Sequence, residues 1–263
     1  MLGNSFRWWS EVAATRGPTR EKLLRSPGES LRRNLEQLNE YLIYSVALFL
    51  LAPMAFALQT PDLTSLWPLA FLVGLMVLCS VPGIYVVRLY RSYALSLRAE
   101  RAVGEELNQL MLDRCHVFHD YPAGPGWNIN HVVVAPSGVY AIETTVGQRG
   151  RAPGANKLPE AVFDGATVRF GRFQTAEPIQ QAQRSAAKLR LELSHVLGVP
   201  VGVKAISSLP GWRVRRRASS DVLVLNPKEI WQAIVTLAAP ELSPDQIQKL
   251  AYHIQQKCRD VEI

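Results

Sequence analysis

Two stretches of the chain carry no charged residue at all, Tyr41 to Leu58 and Leu63 to Val87. Each reaches the length needed to cross a hydrocarbon core, about 20 residues at about 1.5 Å of rise apiece. Tyr41, Tyr44 and Trp67 stand near the ends of these runs, where interfacial aromatic rings are favoured. Pro53, Pro68 and Pro82 fall inside them, which membrane helices tolerate because neighbouring groups satisfy the freed carbonyls. The pattern predicts a two-helix transmembrane hairpin over residues 38–88, with spans near 41–58 and 65–87. The rival reading is a pair of buried helices in a soluble core, but such helices rarely lack every charge over this length.

Before the first run, "ESLRRNLEQLNEYL" keeps Leu31, Leu35, Leu38 and Leu42 on one helical stripe that leads into the span. Further upstream, "FRWW" could lie on a membrane surface with Phe6, Trp8 and Trp9 inserted and Arg7 at the phosphates. After the second run the helical pattern continues through "RLYRSYALSLRAERAVGEELNQLMLDR", with Val103, Leu107 and Leu110 on one side. Gly104 is a weak point there, costing about 1 kcal/mol against Ala unless close packing requires it.

Beyond that helix the period changes. "CHVFHDYP" and "INHVVVAPSGVYAIETT" read as strands, and "AVFDGATVRFGRF" as a hairpin turning at Asp164-Gly165. The Gly/Pro-rich "GQRGRAPGANKLPE" between them is a loop. "EPIQQAQRSAAKLRLELSHVLG" is a helix with Pro178 in its first turn, Gly198 at its end, and Ile179, Ala182, Leu189 and Leu193 as its apolar stripe. Two short apolar strands, "PVGVKAISSL" and "DVLVLN", flank the basic loop "GWRVRRRASS", and two helices, "PKEIWQAIVTLA" and "SPDQIQKLAYHIQQK", close the chain. The expected class is α/β, a helical hairpin followed over residues 89–263 by a mixed sheet flanked by helices.

Charge orients this arrangement. Arg7, Arg16, Arg20, Lys22, Arg25, Arg32 and Arg33 precede the first run, and residues 1–37 form a basic segment. Arg88, Arg91, Arg98 and Arg101 follow the second, while the link "QTPD" offers only Asp62. Basic flanks stay in the cytoplasm, so the expected protein is multi-pass in a bacterial inner membrane with both termini cytoplasmic. Cys79, Cys115 and Cys258 do not suggest a disulfide framework in such a compartment. The net charge of +7 suits anionic lipid headgroups and nucleic acid equally.

The candidate chemistry lies in the first strand pair. Alternation puts Asn128, Asn130, Val132 and Val134 on one face, and Val139, Ala141, Glu143 and Thr145 share a face of the next strand. A turn centred between Pro136 and Ser137 sets Asn130 opposite Glu143; a three-residue loop with Gly138 left-handed shifts the pairing by one. The preceding helix could deliver Glu105 or Glu106 to the same place.

The sequence "AVGEELNQLM", the hairpin, "EPIQQAQRSAAKL" and "DVLVLN" before "PKEIWQAI" together resemble the NERD (nuclease-related) domain, a branch of the PD-(D/E)xK nuclease superfamily. The likeness spans roughly residues 99 to 238, and the hairpin is its most specific part. There the family shows Ile-Asp-His, an apolar strand, Pro-x-Gly, a second strand and Glu-Thr-Lys. The resemblance implies a restriction-endonuclease-like sheet with Glu105 as the helix acid, Asn130 at the aspartate, Glu143 as the second-strand glutamate and Thr145 at the lysine. Glu105, Asn130 and Glu143 would then hold Mg²⁺, which polarises the phosphate and lowers the pKa of the attacking water.

Two of those positions depart from the family. Mg²⁺ prefers anionic oxygen, and Asn130 forfeits the charge. Thr145 offers no cation, and a preorganised positive charge at a transition state can contribute about 3–4 kcal/mol. The expectation is a catalytically degenerate domain that binds nucleic acid or acts as a scaffold with protein partners. The alternative is an active Mg²⁺-dependent nuclease in which Lys157, Gln148 or Arg149 substitutes.

Other groups are weaker candidates. Cys115, His116, His119 and Asp120 lack paired zinc-ligand spacing, and a strand would send His116 and His119 to opposite faces. His131 is expected to pack or hydrogen-bond under the sheet. In "GWRVRRR", Trp212 could stack on a base while Arg213, Arg215, Arg216 and Arg217 contact phosphates of nucleic acid or lipid.

Overall fold

The computed structural model describes residues 23–59, 66–147, 158–236 and 241–261. The readings placed on "FRWW", on the basic residues from Arg7 to Lys22, on Asp62, and on Gln148, Arg149 and Lys157 fall outside those residues.

A two-residue strand, β1 (Leu23–Leu24), precedes helix α1 (Glu29–Gln59), and α2 (Leu66–Asn108) runs antiparallel beside it. Both are long and apolar enough to cross a membrane. Only 11% of the most apolar stretch of each is buried, where a soluble core helix would be mostly covered. Pro53 and Pro82 are carried inside unbroken helices. The second helix is a single rod of roughly 65 Å at about 1.5 Å per residue, so its apolar run and its sheet-packing end are one rigid piece.

Three antiparallel strands, β2 (His116–Gly124), β3 (Trp127–Ala135) and β4 (Gly138–Thr144), start the main sheet. A small sheet follows from β5 (Glu160–Phe163), β6 (Val168–Phe170) and β7 (Phe173–Thr175), and then helix α3 (Glu177–Leu197). After α3, β8 (Val203–Ser208) joins β4 in parallel, β9 (Arg213–Arg216) joins β5 in parallel, and β10 (Val222–Leu225) joins β8 in parallel. The main sheet therefore reads β10-β8-β4-β3-β2 and the small one β7-β6-β5-β9. Helices α4 (Pro227–Trp231), extended as a π turn to Thr236, and α5 (Pro244–Lys257) lead to β11 (Arg259–Val261), which pairs with β1.

The strand pleat sorts the core into two layers. Val133, Tyr140 and Ile142 meet Val103, Leu107 and Leu110 at the end of α2. On the other face Val132, Val134, Val139 and Ala141 meet Ile179, Ala182, Leu189 and Leu193 of α3, as the apolar stripe predicts, with Leu250 and Ile254 of α5 joining them. The Asp164 carboxylate accepts from the backbone N–H groups of Ala166 and Thr167, fixing the predicted turn between β5 and β6.

Two details were not expected, and a third decides an open alternative. The segment predicted as a basic loop contains strand β9, because parallel pairing with β5 satisfies its backbone. Gly104 is required by packing: a Cβ there would lie 2.6 Å from Pro27 Cγ. The start of α1 is also tied to β2 by Asp120, which accepts from the Ser30 N–H at 2.9 Å and the Ser30 hydroxyl at 2.7 Å. Arg25 Nη1 donates to the Asp120 carbonyl at 2.9 Å and pairs with its carboxylate at 3.4 Å.

Candidate functional site

Strands β3 and β4 close on the two-residue loop Pro136-Ser137, with Ala135 paired to Gly138 and His131 to Ile142. Continuing that register by one residue sets Asn130 across from Glu143, the first of the two alternatives the sequence left open. Thr144 N–H donates to Asn130 Oδ1 at 2.8 Å, and Asn130 Nδ2 donates to Glu100 Oε1 at 2.7 Å. The asparagine thus bridges α2 and β4 with both ends of its amide.

The helix acid at this place is Glu100, not Glu105. Glu105 is exposed on α2, whereas Glu100 is 5% exposed. The reason is helical phase. Glu100 precedes Val103 by three and Leu107 by seven, on the stripe facing the sheet, while Glu105 falls off that stripe. The signal was in the sequence, as a carboxylate in register with buried apolar residues.

Glu143 is fully buried. Its Oε2 accepts from Gln181 Nε2 at 2.9 Å, and its Oε1 accepts from the Ser185 hydroxyl. Burial raises its carboxyl to about 8, against the lowering effect of Ser185, Gln181 and the nearby charge of Arg184. Burial raises Glu100 to about 8 as well, with the Asp120 and Glu143 carboxylates adding to the shift. Neither Gln181, Ser185 nor Arg184 was singled out from the sequence. All three lie on α3, and only the hairpin register shows which of its faces meets Glu143.

Two histidines sit under the same strands. His119 Nδ1 and His131 Nδ1 are 2.9 Å apart, so one ring donates and the other accepts. Burial lowers His119 to about 4 and His131 well below its ordinary value. The imidazoles are a neutral packing pair, which is the role expected of His131. His116 is exposed and His119 buried, on opposite faces as the pleat requires.

Donors for a divalent ion are few. Asn130 Oδ1 and both Glu143 oxygens already accept hydrogen bonds, and Glu100 Oε2 is buried without a partner. Among the described residues no three His, Cys, Asp or Glu side chains are grouped to hold a metal. A neutral Asn130 amide and two buried carboxyls raised to about 8 offer Mg²⁺ little of the anionic oxygen it prefers.

A cavity of about 480 Å³ opens beside Gln181, walled by Ser92, Ser96, Thr144, Thr145 and Phe170 among others. Gln181 separates it from Glu143. Its described lining holds hydroxyls, an amide and the carboxylate of Glu177, and neither Lys nor Arg. Thr145 lines this cavity, and its backbone N–H donates to the Ser208 carbonyl at 2.9 Å.

The basic segment is placed differently from expectation. Trp212 is 3% exposed, packed edge-on against Phe170 with ring centroids 5.0 Å apart, so it is core and cannot stack on a base. Arg216 is engaged by Glu229 at 3.2 Å and donates to the Val224 carbonyl. Arg215 lies 3.7 Å from Glu160, at the surface. Arg213, Arg215 and Arg217 are exposed. Register places Arg215 beside Val162 and Val162 beside Arg169, so Arg213, Arg215 and Arg169 share the outer face of the small sheet.

Residues 96–210 match the family model NERD, nuclease-related domain. No curated protein and no solved structure matches the chain.

Proposed function

We propose, from the premise that residues 96–210 form a nuclease-related domain, that this protein keeps the frame of a PD-(D/E)xK nuclease without its chemistry. In this reading it binds nucleic acid, or scaffolds a protein assembly, at the cytoplasmic face of a bacterial inner membrane. One observation carries the reading: Asn130 and Glu143 spend their acceptor oxygens on internal hydrogen bonds. That network holds a neutral amide where a charged ligand is wanted, and a carboxyl that burial raises to about 8 brings little charge to attract the ion.

Nucleic-acid binding is supported by the outer face of the small sheet, where Arg169, Arg213 and Arg215 stand exposed. Such a face would contact phosphates without reading sequence. Membrane anchoring is supported by the uncovered apolar surfaces of α1 and α2. Arg88, Arg91, Arg98 and Arg101 beyond the second run support a cytoplasmic domain.

The runner-up is an active Mg²⁺-dependent nuclease cleaving DNA or RNA. Its support is Arg184, whose charge reaches Glu143 from α3 and could serve in place of the absent lysine. It would require Gln181 and Ser185 to release the carboxylate.

The test uses the full chain in nanodiscs with labelled single- and double-stranded DNA and RNA, with Mg²⁺ or Mn²⁺. The expected result is binding without cleavage, and cleavage gained in Asn130→Asp combined with Thr145→Lys. Wild-type cleavage abolished by both Glu143→Ala and Arg184→Ala would establish the runner-up instead. Binding unchanged in Arg213→Gln with Arg215→Gln would remove nucleic acid from that face.

A further inference from the structure

We propose that the groove between α1 and α2, on the side of Arg88 and Arg91, binds an anionic phospholipid. One acyl chain lies between the helices and the phosphate sits on the two arginines. This rests on the membrane-anchored reading above.

The groove encloses about 410 Å³. Leu42, Val46 and Phe49 form one wall, and Ile84 and Val87 the other. Two hydroxyls also line it, yet neither offers polarity to a guest. Ser45 Oγ donates to the Tyr41 carbonyl at 2.8 Å, and Ser80 Oγ to the Val77 carbonyl at 2.6 Å. The helices lie close at Gly83, where a Cβ would be in ordinary contact with Ser45 Cβ at 3.7 Å. The interior is thus apolar in effect as well as in composition.

Its mouth is the opposite. Arg88 and Arg91 lie three apart on one face of α2 and line the groove where the apolar run ends. Both are exposed, and neither has an ion-pair or hydrogen-bond partner among the described residues. No acidic side chain lines the groove. From Arg88 to Cys79 the helix rises roughly 13 Å at about 1.5 Å per residue, close to the roughly 15 Å of one leaflet's hydrocarbon. An apolar channel one leaflet deep under two unpaired guanidinium groups has the polarity profile of a phospholipid.

A second copy of the chain is a poorer occupant. Symmetric packing on this groove would set Arg88 and Arg91 against their own equivalents. A zwitterionic lipid would fill the channel but leave the cationic mouth uncompensated. Net negative headgroup charge is what the arginines select, at about 1 kcal/mol each.

The experiment takes the full chain into phosphatidylcholine nanodiscs doped with phosphatidylglycerol, after carbonate extraction and vesicle flotation have shown whether it is integral. Native mass spectrometry counts bound lipid. Phosphatidylglycerol is expected to be retained in preference to phosphatidylcholine. Arg88→Gln with Arg91→Gln should weaken that preference roughly 30-fold, leaving flotation intact. Ser80→Leu, which fills the channel, should lower retention of both lipids.

Equal retention by wild type and the double variant overturns the proposal while leaving the anchor in place. A lipid-free dimer cross-linked through cysteines placed along the groove overturns it in favour of self-association. Loss of the protein into the carbonate supernatant overturns both this proposal and the membrane reading.

Discussion

Asn130 donates its side-chain amide to Glu100 at 2.7 Å, and this contact holds the end of the hairpin against α2. An aspartate at the same position would have no N–H to donate to Glu100 and would add a second acid to a buried site. In the proposed reading, an amide at this position makes a site that is stable without a cation. Glu100 and Glu143 add to this by staying protonated near neutral pH, since burial places both near 8.

That protonation predicts an unusual pH dependence. Both carboxyls bind protons more tightly folded than unfolded. Their stabilisation is full below about 4.5 and is lost as pH rises through about 8. The buried imidazoles act at the other end. His119 contributes fully above about 6.5 and loses its contribution as pH falls through about 4. Chemical unfolding of the full chain in mild detergent should show little net change between pH 5 and 6.5, where the two effects oppose, and stability falling from about pH 6.5 to 8, with a slope approaching about 1.4 kcal/mol per unit for each carboxyl. Glu100→Gln should flatten one carboxyl's share of that slope, and an unchanged slope would refute the assignment.

Asn130→Asp alone should destabilise the domain by about 1–3 kcal/mol, the cost of leaving buried groups without their partner. Adding Mg²⁺ should recover part of this loss through binding to the folded state, and should leave the wild type unmoved. Thermal unfolding with and without the ion reads both effects. Equal responses of the two proteins would mean that position 130 does not govern metal affinity.

Gly104→Ala improves helix propensity by about 1 kcal/mol yet should destabilise the protein, because its Cβ would meet Pro27 Cγ at 2.6 Å. A net loss of about 1–3 kcal/mol is expected from this overpacking. Combining it with Pro27→Ala should return much of that loss in a double-mutant cycle.

Trp212→Ala should cost about 3–5 kcal/mol as a core truncation. Arg213→Gln with Arg215→Gln should shift stability by less than about 0.5 kcal/mol, both residues being exposed. Unfolding midpoints of the two variants separate the core role of the tryptophan from the surface role of the arginines.

The sequence shows most clearly what local periodicity determines. The α3 stripe, its Pro178 and Gly198 ends, the turn at Asp164 and the long apolar helices all follow from spacing and from single residues with restricted backbones. Of the site, the hairpin was legible, but the Asn130–Glu143 pairing was one of two registers until the two-residue turn decided between them. Glu105 was chosen from a family pattern, although the phase of Val103 and Leu107 points to Glu100. Trp212 and the basic stretch were misread because β9 forms by pairing with a strand some fifty residues upstream, and no local signal carries that contact. The hydrogen bonds from α3 to Glu143 depend likewise on how a helix lands on a sheet.

The ribbon of β1 and β11 brings Leu23 and Leu24 beside residues 259–261. During synthesis the first of these emerges long before the second, by on the order of 10–50 seconds at ordinary translation rates. Until then the Arg25 N–H lacks the Cys258 carbonyl to which it donates at 3.0 Å, and the junction between α1 and Asp120 is unsupported on one side. Residues near 260 therefore latch those near 24. A truncated or stalled chain would emerge with its helical hairpin complete and its sheet domain still unclasped, a state that proteolytic quality control could recognise.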